Sequence, residues 1–94
     1  MVVTMLEAVV QENRAYELES QFRATPLPSA IVESFLLADS NSDTWKLVTV
    51  WLSQQALDEY RANVDTPGGV IMFRSAGAEP SLTVFEKRGH ATHT

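Results

Sequence analysis

Few side chains in this sequence can do chemistry. There are two phenols, Tyr16 and Tyr60, and three carboxylates set inside otherwise apolar stretches, Glu7, Glu33 and Glu86. Arg61 and Arg74 are cations close to hydrophobic segments, and the two histidines, His90 and His93, sit near the C-terminus. A phenol can hydrogen-bond a substrate oxygen or take its proton. A carboxyl stripped of water holds its proton more tightly and can then serve as a base, which makes Glu7 a second candidate. A guanidinium stays charged and can hold an anion. Each group also has a plainer use: a tyrosine whose hydroxyl reaches the rim of a core, a strand carboxylate paired with Lys46, Lys87 or Arg88, an arginine on a helix surface. Two histidines at i, i+3 without a third ligand make a poor metal site, so no metal is expected.

Other chemistries are excluded outright. With no cysteine there is no disulfide scaffold, thiolate metal site or thiol nucleophile. A Ser-His-Asp set needs a histidine in the folded part. Gly68-Gly69 lacks the further glycines and the lysine of phosphate-binding loops. The net charge of −5 argues against nucleic acid. The apolar runs are too short to span a bilayer, which takes about 20 residues. The opening MVVTMLEAVV has no basic leader and carries Glu7 within its apolar run, so a cytoplasmic protein is expected. At 94 residues with 45% hydrophobic content, one domain over residues 1–88 and a flexible C-terminal tail over 89–94 account for the chain.

The elements that position these groups are organised around Trp45–Arg61, WKLVTVWLSQQALDEYR. Trp45–Leu52 reads as a strand, Ser53 as an N-cap and Gln54–Arg61 as a helix with Ala56, Leu57 and Tyr60 on one stripe. Val2–Val10 is a valine-rich strand. Asn13 is placed to cap a helix over Arg14–Ala24, with Ala15, Leu18 and Phe22 inward, and Thr25-Pro26-Leu27-Pro28 stops it. Ala30–Ala38 is the next strand, with Ile31, Glu33, Phe35 and Leu37 on one face, joined by the polar turn Asp39–Asp43 in a hairpin to the strand that follows. Thr66 as cap and Pro67 at the first helical position start a short helix over Val70–Ala76, closed by a left-handed Gly77. Ser81–Lys87 is the last strand.

The order β-α-β-β-α-β specifies an α+β, ferredoxin-like four-stranded antiparallel sheet of order 4-1-3-2 with its helices on one face. The strands are apolar on both faces, where a half-solvated sheet alternates apolar and polar residues. The face without helices therefore calls for cover, and a second copy related by a two-fold axis is the economical one: a homodimer is expected.

With TVW closing the third strand and S-Q-Q-A-L-x-x-Y after it, the chain resembles the antibiotic biosynthesis monooxygenase-like family of dimeric α/β barrels. The positions that carry the likeness are Trp51, Ser53, Ala56 and Leu57, together with the hairpin before them and the closing strand SLTVFEK. The resemblance implies a cavity between sheet and helices. It also implies cofactor-free oxidation of a small aromatic or quinol-like metabolite by dioxygen, the substrate supplying the electrons. On this likeness Trp51 is a wall that stacks on an aromatic ligand or packs beneath the helix. Tyr60 is a catalytic phenol or a core residue, and Tyr16 is a weaker alternative. Arg61 and Arg74 would hold an anionic intermediate. Asn63 is a polar anchor or a helix C-cap, and Met72 and Phe73 line the mouth or pack. The haem-opening relatives use an asparagine, a tryptophan and a histidine where this chain has Leu6 or Glu7, Tyr60 and no histidine, so no haem or other cofactor is expected. The alternatives are a binding module of the same fold that turns nothing over, and a structural dimer whose cavity is filled by its own side chains.

Overall fold

Thr44–Trp51 alternates bulky apolar residues on both sides of the backbone and forms β3, next to the centre of the sheet. The computed structural model describes residues 1–93, and Thr94, the last residue of the tail, lies outside them. The other elements are β1 (Val2–Val9), a 3-10 turn (Glu12–Arg14), α1 (Ala15–Ala24), β2 (Ile31–Ala38), α2 (Gln54–Asn63), α3 (Gly68–Ser75) and β4 (Ser81–Glu86). The sheet is antiparallel throughout, in the order β2-β3-β1-β4, which is the expected 4-1-3-2 read from the other edge.

The register stacks like side chains into rows. Leu82, Leu6, Leu47 and Leu36 lie side by side across β4, β1, β3 and β2, and the next row along the strands is Val84, Thr4, Thr49 and Ser34. Both rows face the helices. Phe73, Leu18 and Val10 are the largest fully buried side chains, and with Leu6, Leu47 and Met72 they form the main core between α1, α3 and the sheet. Trp45 packs against this core. A second, smaller cluster joins Val2, Trp51 and Leu57, with Ile31 and Tyr60 packed on it.

Caps explain where the helices begin and end. Ser53 is the expected N-cap of α2, its Oγ accepting the Ala56 N–H at 3.0 Å. After α3, Gly77 takes φ +74°, its N–H donates to the Arg74 carbonyl, and the Ala78 N–H donates to the Phe73 carbonyl. This is the paired 6→1 and 5→2 closure that favours glycine at that position. Arg14 ties α1 to this end: its guanidinium donates to the Ser75 carbonyl at 2.8 Å and pairs with Glu17, a cation at the negative end of a helix dipole.

Three local expectations are corrected. Asn13 caps nothing; the chain enters α1 through the 3-10 turn, and Arg14 takes the cap position without a side-chain bond. Thr66 is not the cap of α3; the Pro67 carbonyl accepts the Val70 and Ile71 N–H groups instead. Ile31 does not share a face with Glu33, Phe35 and Leu37. A register shift between Ile31 and Glu33 inserts one residue, so Ile31 pairs with Trp51 and joins the helix side.

The opposite face of the sheet carries no helix. Its central row is Met5, Val48 and Phe35, flanked by Phe85, Val3 and Val50 and by Leu37. Phe35, Leu37 and Phe85 are between 40% and 46% exposed. No helix among the described residues is long and apolar enough to cross a membrane.

Candidate functional site

Between the sheet and the helices lies a cavity of about 640 Å³, lined by residues of α1, α2 and α3 and by strand residues from β2 to β4. The floor is built by the two rows described above: Leu6, Leu47 and Leu82, then Thr4, Thr49 and Ser34, with Trp51 beyond them. Met72 and Val70 of α3 form the roof. Leu57, Tyr60 and Arg61 of α2 and the Thr25–Pro28 connection form one side, and Arg74, Glu79 and Pro80 close the other. An apolar enclosure with a few convergent polar groups is the usual form of a small-molecule site.

The tryptophan and the tyrosine define the deep corner. The rings of Trp51 and Tyr60 lie 5.1 Å apart at 51°, a tilted aromatic pair. The Trp51 indole N–H donates to Thr4 Oγ1 at 2.9 Å, a buried bond between β3 and β1. The Tyr60 hydroxyl accepts the N–H of Gly68 at 3.0 Å, the first residue of α3. It thereby satisfies one of the donors a helix N-terminus leaves unpaired, and it fixes the phenol against the roof. Gly69 allows that roof to come down. A Cβ there would meet the methyl groups of Leu6 and Leu47 at 2.7 and 2.8 Å, so α3 approaches the leucine row more closely than any residue with a side chain permits.

At the β4 edge Arg74 and Glu79 form a two-bond ion pair of 2.9 and 3.0 Å. Hydrogen bonding to Arg74 holds the Glu79 carboxyl below its ordinary range, and the same bond raises the Arg74 guanidinium. Arg23 is paired with Glu19. Arg61 lines the cavity without a carboxylate partner among the described residues.

The structure thus brings Trp51, Tyr60, Arg61, Met72 and Arg74 to one cavity and leaves the other candidates outside it. Glu7 points to the opposite face of the sheet, where it pairs with Lys46 at 3.4 Å; its parity on β1 sets it against Leu6. Tyr16 is 75% exposed on the outside of α1. Asn63 serves the end of α2, its side chain donating to the Glu59 carbonyl at 2.8 Å. Phe73 is wholly buried on the core side of α3 and does not reach the cavity. The residues missed from sequence are the three hydroxyls of the floor, Thr4, Ser34 and Thr49. Their common parity on helix-facing strand positions was the available signal.

No protein-family model matches the chain, and no curated protein matches it. Solved structures do. A Deinococcus radiodurans protein named as a candidate antibiotic biosynthesis monooxygenase superposes with a TM-score of 0.72 at 13% identity, covering 100% of this chain and 99% of its own. The chain has the fold of these proteins. MhuD, solved as a point mutant with two manganese protoporphyrin IX molecules per active site, gives 0.68 at 18% identity over 99% of this chain and 100% of its own. SnoaB, a cofactor-independent oxygenase from Streptomyces nogalater, gives 0.60 at 17% identity over 98% and 97%. At these identities the likeness establishes the fold alone, the one expected from Trp51, Ser53, Ala56 and Leu57.

Proposed function

We propose that this protein is a cofactor-independent monooxygenase of a small aromatic or quinol-like metabolite, acting as a cytoplasmic homodimer. The observation that carries the reading is the cavity itself. It is apolar, it is walled by Trp51 and Tyr60, and the only carboxylate among the described residues that line it, Glu79, is held by Arg74. A flat electron-rich ring fits such a space, stacking on the indole with its oxygens over the hydroxyl floor. The Tyr60 oxygen already accepts the Gly68 N–H, so its own proton is free to be given to a substrate oxygen. Arg61 supplies the unpaired positive charge that favours the deprotonated, oxygen-reactive form of the substrate. In the reaction one oxygen atom of dioxygen enters the ring and the other leaves as water, the substrate providing the electrons. The fold shared with SnoaB supports this assignment.

Haem suits these residues less well. The MhuD likeness raises it, but among the described residues the cavity lining offers no imidazole or thiolate to an iron, and the Tyr60 oxygen is engaged at the start of α3.

The test is oxygen uptake. The purified protein, loaded anaerobically with hydroquinones or hydroxylated naphthalenes and then given oxygen, is expected to consume it well above the buffer rate. Arg61→Gln is expected to lower that rate about tenfold to a hundredfold, the range of losing one hydrogen bond to a charged group. Uptake equal to buffer with every substrate would leave the non-catalytic binding module as the better reading.

A further inference from the structure

The hydroxyl row on the cavity floor has a polarity that follows from counting protons. Each hydroxyl has one proton to give and two lone pairs to offer. Ser34 Oγ donates to the Val48 carbonyl at 3.2 Å and lies 3.1 Å from Thr49 Oγ1. Either hydroxyl could donate across the Ser34–Thr49 contact; with the single Ser34 proton given to Val48, whose carbonyl can only accept, the donor is Thr49. Thr49 has then given its proton, and lone pairs are what it presents. Thr4 is the reverse case. The Trp51 indole N–H takes one of its two lone pairs, and its own proton meets no acceptor among the described residues. Thr4 is only 7% exposed and Thr49 only 6%, and both line the cavity. An oriented donor and an oriented acceptor therefore stand on neighbouring strands, as direct partners in the β1–β3 register.

We infer that Thr4 and Thr49 are the positioning pair of this cavity: Thr4 donates to an acceptor oxygen of the ligand and Thr49 accepts from a ligand hydroxyl. Directly opposed side chains on adjacent strands stand about 5 Å apart. The pair thus selects aromatic ligands whose carbonyl-type oxygen and hydroxyl are separated by a similar span, on the two sides of a ring edge, rather than ligands with one oxygen or two adjacent ones. A buried donor left without an acceptor disfavours a ligand that lacks the matching oxygen. The inference rests on the cavity being the ligand site, as proposed above, and does not depend on turnover.

The test uses two ketones that are not oxygenase substrates by design, 1-tetralone and 7-hydroxy-1-tetralone, the second adding one hydroxyl at about the strand spacing. Binding to the full chain is measured by titration calorimetry for the wild type and for Thr4→Ser, Thr4→Val and Thr49→Val, with near-ultraviolet circular dichroism to confirm the fold. Thr49→Val is expected to weaken the hydroxylated ketone about fivefold to tenfold and to leave 1-tetralone unchanged, the effect of one net hydrogen bond. Thr4→Val is expected to weaken both ketones by a similar factor, and Thr4→Ser to keep both. Should Thr4→Val lose its fold through the orphaned Trp51 N–H, the two-ketone comparison on Thr49→Val decides alone. Equal affinities of Thr49→Val and wild type for the hydroxylated ketone, or equal losses for both ketones, overturn the pairing. Failure of the wild type to bind either ketone at millimolar concentration overturns it together with the ligand-cavity reading. A negative oxygen-uptake result with the threonine pattern intact overturns the oxygenase reading alone.

Discussion

Phe73→Ala is expected to destabilise the protein by about 3–5 kcal/mol, the usual cost of deleting a fully enclosed aromatic side chain. Phe73 is 0% exposed and sits where α3 meets α1 and the sheet, in the cluster with Leu18, Val10 and Met72. Its backbone carbonyl also accepts the N–H groups of Ala76 and Ala78 that close α3. Single domains hold only about 5–15 kcal/mol in all, so this one substitution removes a large share of the total. For a chain of this length the melting temperature is expected to fall by roughly 12 °C or more. Urea unfolding with an unchanged slope, compared with wild type, checks the value. A loss below about 1 kcal/mol, far under the range for such a deletion, would mean that α3 is not seated on the sheet as described.

The second large effect concerns assembly. Val48 stands at the centre of the helix-free face, paired with Met5 on one side and Phe35 on the other. In the proposed homodimer the two copies of this face pack together, as sheets do when neither has another partner. Val48→Asp would place a carboxylate in the middle of each surface, where no cation stands in the same row. An unpaired charge in a closed apolar contact costs several kcal/mol, so dissociation is expected to become at least about a hundredfold easier. Sedimentation at micromolar concentration is expected to show a dimer for the wild type and a monomer for the variant. A wild-type monomer would leave the exposed Phe35, Leu37 and Phe85 without an explanation.

Much of this architecture is legible in the residues. Two-sided apolar strands, the Ser53 cap, the Pro26 and Pro28 stop and the left-handed Gly77 each act through local chemistry, and each stands where that chemistry puts it. What cannot be read locally is anything set by register. Glu7 resembles a desolvated base because its neighbours in the chain are apolar, but the β1–β3 register sets Lys46 directly beside it, on the face away from the cavity. Ile31 changes sides because of one inserted residue. Tyr16 and Phe73 carry plausible side chains on helices whose rotation only packing decides, and one turns outward while the other turns fully in. The hydroxyl floor is hidden for a different reason. A threonine in a valine-rich strand passes for another β-branched residue, and only the pairing of three separate strands shows that Thr4, Thr49 and Ser34 form one line.

The three helices are not held equally. α1 and α3 share the main core and are bolted to each other through Arg14 and the Ser75 carbonyl. α2 is anchored by Leu57, its one buried residue, and by the Tyr60 contacts. Elements with few buried contacts open at lower free energy than the whole molecule. Amide protons of α2 are therefore expected to exchange with solvent deuterium well ahead of those of α3, and a guest in the cavity to slow them. If the cavity takes the proposed ligand, α2 is then its door, and Leu57→Ala, which loosens the seat of α2, is expected to speed release of the ligand.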